Sequence, residues 1–477
     1  LPLAEDRRDR TCLLVTSEAG LAGELDAPGV ADALGQLREA ADRSRNRGLS
    51  PTIYVPDNKD LCGQLAYLSP PLTAPGLAAG IRSAEETLLA GRHFTYVLLA
   101  GGGSVIPFWR PANPAADSDA DFPSDAPYGV VEPGDGIETF LLPDRAVARV
   151  PLVSGLGRLF TDPAPRGGSV PFGLAAAIWK DQARKVYGVL ADRALVTSPP
   201  IDLDSFKSEW LAGNTVLYFN VHGSKDERYW YGQQDLSYPK VLSPEVVARS
   251  GIEGALVMTE ACYGGLVEGK HPQDSIALEF LSGGAAAVVG SSAIAYGSPE
   301  EGLSEADLLA YLFLKRVAAG ERFGDAFVES KTDFAAEMLR RQGYLDGDDK
   351  KTLVEFNLFG DPSASLGGLA QGKGRGVMIP EEIILSIKQV VAARFPEMLG
   401  VEPDLTEEMT ALDGALAGKV LKRRPQSTPK GGERFVERKV FVASFARQVV
   451  TGNREVERVV RITFDERGEV LKIVTSK

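Results

Sequence analysis

The sequence predicts an α/β fold, on three observations. Short runs that are apolar throughout, TCLLVTS (Thr11 to Ser17), YVLLAGG (Tyr96 to Gly102), VLYFNVHG and ALVMTEAC, recur along the chain, and such runs are the mark of strands covered on both faces of a parallel sheet. Stretches of helical periodicity lie between them. At 477 residues and 44% hydrophobic composition, the chain holds enough apolar material for two or three packed domains.

Taken in order, TCLLVTS is the first buried strand, a helix follows from Val30 to Arg47, then the strands PTIYVP and YVLLAGG complete an amino-terminal α/β subdomain over residues 1–152. The segment from Pro111 to Asp144 interrupts the rhythm with Asp117, Asp119, Asp121, Asp125 and Asp135 among prolines and glycines, the composition of a loop. It leads into the strand RAVARVP. A second α/β unit spans 153–368: a helical run from Gly173 to Leu190, then ALVTS, VLYFNVHG, ALVMTEAC and AAAVVGSS, ending near NLFGDPSASL. A glycine-rich joint, 369–378, is expected to act as a linker. The last segment, 379–477, predicts a small α+β domain with a helix from Glu381 to Arg394, a polar stretch KRRPQSTPKGGER, and antiparallel strands whose final turn is DERG.

A net charge of -13 excludes a phosphate backbone as the main partner, since that requires a basic face. Cys12, Cys62 and Cys262 are an odd number at wide spacings, so no disulfide framework is expected and at least one thiol is free. No apolar run reaches the roughly 18 residues of a spanning helix. The opening LPLAEDRRDR carries neither a signal-peptide core nor an initiator Met and reads as processed or trimmed, an opening compatible with either a cytoplasmic or an exported protein.

The chemistry gathers at two strand ends. LYFNVHGS (Leu217 to Ser224) ends on one of only three histidines, followed by glycine, and LVMTEACYGG ends the same way on Cys262. In an open α/β sheet, working side chains stand beyond the carboxyl ends of the strands. Forty positions separate His222 from Cys262, enough for a crossover through SPEVVARSG that lays the two strands side by side and parallel. A thiol needs a neighbouring imidazole or positive charge to act as a nucleophile. The N–H groups of Gly223 and Cys262 would form an oxyanion hole, while Gly264 and Gly265 allow a sharp turn after the cysteine. Singly, each residue has an ordinary explanation, a buried small hydrophobe and a packing histidine. Matched at two strand ends with glycines behind them, they point to catalysis.

VHGS, TEACYGG, GSSAIAYGSP and NLFGDPSASL together resemble the gingipain-type cysteine peptidases, a family of caspase-like fold. YVLLAGGGSVIP, the SDAPYG loop and PDRAVARVP resemble that family's amino-terminal subdomain, so the similarity runs in order from Thr11 to Leu366. It implies a caspase-like architecture of parallel sheets covered by helices in two subdomains. It also implies a cysteine endopeptidase acting on protein or peptide substrates, with nucleophile Cys262 and histidine His222. Two departures stand out. The connection SPPIDLDSF after ALVTS is too short to carry the family's acids position by position, and the carboxyl-terminal domain does not follow the immunoglobulin-like pattern of that family.

Substrate selection is expected to fall on the residue before the cleaved bond. Asp202 and Asp204 in SPPIDLDSF are the candidate pocket carboxylates for a basic side chain, and Tyr296 in AIAYGSP is the candidate aromatic wall. The plain alternative for the aspartates is helix capping of DSFKSEWLAG. No cofactor is required. The Asp117 to Asp125 cluster could hold a structural calcium, but its spacing suits a solvated acidic loop better. Cys262, His271, Asp274 and His222 lack zinc-site spacing, GGGSV lacks the lysine of a phosphate loop, and His93 is read as a packing residue. The rival from another class is a catalytically inactive relative serving as scaffold or assembly factor. The carboxyl-terminal domain is the expected site of a regulatory partner, with its basic, proline-bearing run from Lys422 to Arg434 exposed to clipping.

Overall fold

The computed structural model describes residues 10–161, 171–191, 195–298 and 302–366, and of the carboxyl-terminal part residue 395 and the strands at 404–410, 438–451, 454–465 and 470–476. Strand β1 (Arg10–Val15) is followed by helices α1 (Glu18–Glu24) and α2 (Ala27–Asn46), β2 (Leu49–Tyr54), α3 (Ala74–Leu89), β3 (Tyr96–Ala100) and β4 (Ala146–Val150). The helices start where the sequence offers caps: Ser17, Asp26 and Thr73 each accept a hydrogen bond from the first turn they precede. The second unit runs β5 (Phe172–Ala176), α4 (Lys180–Tyr187), β6 (Val196–Ser198), β7 (Val216–Asn220), the short pair β8 (Trp230–Tyr231) and β9 (Lys240–Leu242), and α5 (Pro244–Ala248). It continues with β10 (Leu256–Thr259), α6 (Ile276–Ser282), β11 (Ala287–Ser291), β12 (Tyr296–Gly297), helices α7 (Glu305–Ala318), α8 (Phe323–Gln342) and α9 (Gly347–Glu355), and β13 (Phe356–Gly360).

Both units share one ten-stranded sheet of order β2-β1-β3-β4-β13-β11-β10-β7-β5-β6. Neighbours are parallel except β11 and β13, which run antiparallel. The strands of the first unit together with β13 therefore point one way, and the remaining five point the other. Both faces are covered: β3, β4, β7, β10 and β11 are buried at every position, as their continuous apolar runs require.

One expected helix is corrected. Gly173 to Ala176 form strand β5, and the helix begins only at Lys180. Alanine-rich GLAAA suits either state locally. Its place between β7 and β6 decides, because a Cβ at Gly173 would meet Leu195 at 2.6 Å and Tyr187 at 2.7 Å, a fit that admits only bare backbone.

The Pro111–Asp144 segment is also corrected in part. It has the irregular backbone expected, but it is not a solvated acidic loop. Asp117, Asp119 and Asp125 have buried side chains, each paired with a cation, whereas Asp121 pairs with Arg110 at the surface.

The carboxyl-terminal strands β14 (Asp404–Thr410), β15 (Arg438–Thr451), β16 (Arg454–Asp465) and β17 (Val470–Ser476) form an antiparallel meander, as the alternating pattern predicts, while the expected DERG turn lies, from Glu466 on, outside the described residues. The helix expected at Glu381 to Arg394 and the run from Lys422 to Arg434 lie outside the described residues. The meander is not a separate sheet in space. Its last strand pairs antiparallel with β12, Tyr296 opposite Ser476 and Gly297 opposite Thr475.

Candidate active site

Strands β7 and β10 are neighbours and parallel, with Val216 opposite Leu256 and Phe219 opposite Thr259, so the residues that follow them emerge at the same edge. His222 stands two positions past β7, where its N–H and C=O both bond to Tyr231 at 2.9 Å. This holds the backbone of the histidine by two bonds. Its ring is fixed separately. Nε2–H donates to Oε1 of Gln233 at 2.7 Å, the indole of Trp179 packs on one face with ring centroids 4.3 Å apart, and Tyr238 meets its edge. Gln233 is itself oriented, because its amide nitrogen donates to Tyr238 Oη at 2.9 Å and to the carbonyl of Asp235 at 3.1 Å. Only its oxygen is then available to accept from the imidazole, which leaves the lone pair of a neutral ring on Nδ1.

Cys262 follows β10 after Glu260 and Ala261. Glu260 ties the strand end back to β7, its N–H bonded to the carbonyl of Phe219 at 2.9 Å and its carboxylate accepting from Tyr218 Oη at 2.6 Å. The two tips touch through their backbones: a Cβ on Gly223 would lie 2.1 Å from the carbonyl oxygen of Cys262. The glycine after the histidine is therefore demanded by close approach.

The turn after the cysteine differs from expectation in detail. The left-handed residue is Tyr263, at φ 54, while Gly264 and Gly265 serve contact. A Cβ on Gly265 would meet the carbonyl of Gly290 at 2.4 Å, and its N–H bonds to Ser291 O at 2.7 Å. Among the described residues, neither the N–H of Gly223 nor that of Cys262 is engaged in a hydrogen bond, the condition an oxyanion hole requires.

The thiol of Cys262 is buried, 3% exposed, and donates to the carbonyl of Ala295 at 3.4 Å. Burial pushes it up to about 12, against the Ala295 contact and the positive charges of Arg458 and Lys351, with the carboxylate of Glu355 adding to the rise. Behind it, Lys351 Nζ sits between Asp117 at 2.7 Å and Asp119 at 3.1 Å. Asp119 also accepts from Tyr263 Oη at 2.7 Å and Ile294 N at 2.9 Å. These carboxylates thus face an ammonium and position the loop behind the cysteine. Among the described residues no group of His, Cys, Asp and Glu is arranged to hold a metal ion.

The expected pocket residues separate. Asp202 turns onto Ser205, accepting from its N–H at 3.0 Å and its hydroxyl at 2.6 Å, and this bonding lowers its carboxyl; Asp204 beside it is exposed. They belong to a surface turn, so neither is a buried carboxylate. Tyr296 is fully buried, its hydroxyl donating to Asp117 at 2.7 Å, in one apolar cluster with Cys262, Ile294, Val459 and Val474. Gln233 and Trp179 were not expected from the sequence. His93, expected as a packing residue, is exposed instead, its Nδ1 3.2 Å from the buried carboxylate of Glu85, and GGGSV is a turn whose Gly101 and Gly102 carbonyls accept from Arg149.

Residues 183–367 match the model of peptidase family C25. No curated protein matches the chain. Among solved structures, the complex of Porphyromonas gingivalis RgpB pro- and mature domains is similar with TM-score 0.50 and 13% identity, over 98% of this chain and 99% of that one. A structure described as a protease is similar with TM-score 0.50 and 12% identity, over 98% and 96%.

Proposed function

From the match of residues 183–367 to peptidase family C25, the gingipain family, this chain is a cysteine peptidase, and we propose that it cleaves protein substrates through a His222/Cys262 dyad. The observation that carries the dyad is the contact of two parallel strand tips, with Gly223 against the carbonyl of Cys262. His222, held by Gln233 and Trp179, takes the thiol proton. The thiolate attacks the scissile carbonyl, and the oxyanion lies toward the N–H groups of Gly223 and Cys262. Protonated His222 then gives its proton to the leaving amine as the tetrahedral adduct collapses to a thioester, and water hydrolyses that thioester to free the thiol.

Preference for a basic side chain before the cleaved bond is part of the proposal. It is supported by the Trp179 face, over which the guanidinium of Arg458 lies 5.5 Å from the ring centroid, a contact favourable to cations. With Asp202 and Asp204 in a surface turn, the preference is assigned to this aromatic wall.

Cys262→Ala is expected to abolish peptide turnover, and His222→Ala to lower it by about 10²-fold or more with the fold intact. Near-normal cleavage by either variant overturns the dyad. A fluorogenic library should favour Arg and Lys, and Trp179→Ala should flatten that preference; an unselective parent enzyme overturns it. The burial of the Cys262 thiol favours a second reading, an inactive scaffold. An acyloxymethyl ketone that fails to label Cys262 in any form of the protein would establish that reading.

A further inference from the structure

Among the described residues, the catalytic unit builds a cluster of acids that its own cations do not meet. Glu305 at the start of α7 and Asp346, Asp348 and Asp349 at the start of α9 are all buried, each 2% exposed or less. The cations paired with them come from the carboxyl-terminal meander. Lys472 Nζ lies 2.8 Å from Asp346, 3.1 Å from Asp349 and 2.5 Å from Glu305, and Arg461 pairs with Asp348. Buried carboxylates gathered without partners would be strongly destabilising. The cluster is accordingly a receptor for β16 and β17.

That docking brings the meander onto the reactive groups. β17 extends β12, a strand that follows directly on Ala295, the acceptor of the Cys262 thiol. Val459 and Val474 pack in one cluster with Cys262 and are 2% and 1% exposed. Arg458 lies over Trp179, whose indole also packs against the ring of His222. Within its own sheet Arg458 stands opposite Arg447 in the β15–β16 register, and like charges directly opposed are unfavourable.

We infer that the carboxyl-terminal meander is a built-in occupant of the catalytic cleft, with Arg458 in the place of the substrate's basic side chain and β17 on the edge that a substrate strand would use. The full chain is then latent until the meander is displaced. The inference rests on the peptidase reading above for its meaning, but the burial of Cys262 by this sheet can be measured apart from catalysis.

The test uses the full chain and two variants that leave residues 10–366 unchanged. Lys472→Ala with Arg461→Ala removes both cations, and Val474→Asp places a charge against the Cys262 cluster while leaving the ion pairs in place. Iodoacetamide modification of Cys262 near neutral pH is followed by mass spectrometry, with buried Cys12 and Cys62 reporting any general unfolding. The Tyr296 and Gly297 amides are followed by hydrogen exchange, and turnover of an Arg-bearing fluorogenic peptide is read in parallel.

In the parent, Cys262 should react about 10²-fold more slowly than a free thiol, and about tenfold faster in each variant, with Cys12 and Cys62 still protected. Peptide turnover should rise in step. A parent Cys262 as reactive as a free thiol overturns the inference, whatever the variants do. So does a Cys262 rate that stays at the parental value while Tyr296 and Gly297 lose protection. If reactivity rises without turnover, the cover stands and the peptidase reading falls; if the parent already turns over as fast as the variants, the cover falls and the peptidase reading stands.

Discussion

A thiol reacts as its thiolate, and burial holds Cys262 up at about 12, so its reactivity in the full chain has a definite pH signature. Below the pKa, each unit of pH raises the thiolate fraction about tenfold. The alkylation rate of Cys262 should therefore climb at about that slope from about pH 6 to about pH 9 without a plateau; a plateau beginning near neutrality would show an activated thiol in the closed form. The histidine admits a companion prediction. Gln233 accepts the Nε2–H of His222 at 2.7 Å, and Gln233→Glu would put a carboxylate in that place, favouring the imidazolium. The limb of the activity profile that reports His222 should move to higher pH by about one unit, with KM little changed; an unmoved profile would reduce Gln233 to packing. At this scale the placement of His222 and Cys262 at neighbouring strand tips was legible, because each ends an apolar run with glycine one or two positions on. Gln233 and Trp179 were not, since they reach the histidine from the β8–β9 excursion and the turn after β5, and neither connection has a signature in local spacing.

The proposed active edge depends on how closely β7 and β10 approach, and glycine sets that distance. Gly223→Ala would drive a Cβ to 2.1 Å from the Cys262 carbonyl and 3.2 Å from Ala261 Cβ. Two backbones must then part, since no flexible side chain is there to yield. A displacement near 1 Å costs about 10²-fold in rate, so turnover should fall by that order while the remote Gly251→Ala, whose Cβ would meet only Ala212 at 3.8 Å, should be nearly silent. Equal activities for the two variants would refute the close-approach argument. Elements that are apolar along their whole length were legible as strands. Two kinds of element were not: GLAAA, which local propensity leaves undecided until β6 and β7 flank it, and the aspartate loop, whose composition looks solvated but whose Asp117 and Asp119 are buried around Lys351 from α9, more than two hundred residues away in sequence.

Across the whole molecule, the sequence suggested two parallel sheets where the structure joins them into one, because the join lies between β4 and β13, strands separated by most of the second unit. The seam itself is thin. The register between β4 and β13 comprises the single pair Phe359 and Arg149, so side chains must supply what the ladder lacks. Arg149 does so while fully buried. Its guanidinium donates to both oxygens of Asp125 at 2.8 and 2.6 Å and to the carbonyls of Gly101, Gly102 and Ile106, and it lies 3.8 Å over the ring of Phe108. Asp125 is itself buried, and its backbone N–H is held by Asn357 on β13 at 2.8 Å, so the pair reaches across the seam from both sides. Replacing such a charge leaves its partner buried and unpaired, at a cost of about 3–5 kcal/mol. Arg149→Met is thus expected to lower stability by that amount and to weaken the coupling between the units. Trp109 reports on the first unit through its packing with Tyr128 and Phe140, and hydrogen exchange in β7 and β10 reports on the second. In urea the parent should lose both signals in one transition, whereas Arg149→Met should lose the Trp109 signal first. Coincident transitions in the variant, at the parental midpoint, would mean that the continuous sheet alone couples the halves and that Arg149 does not.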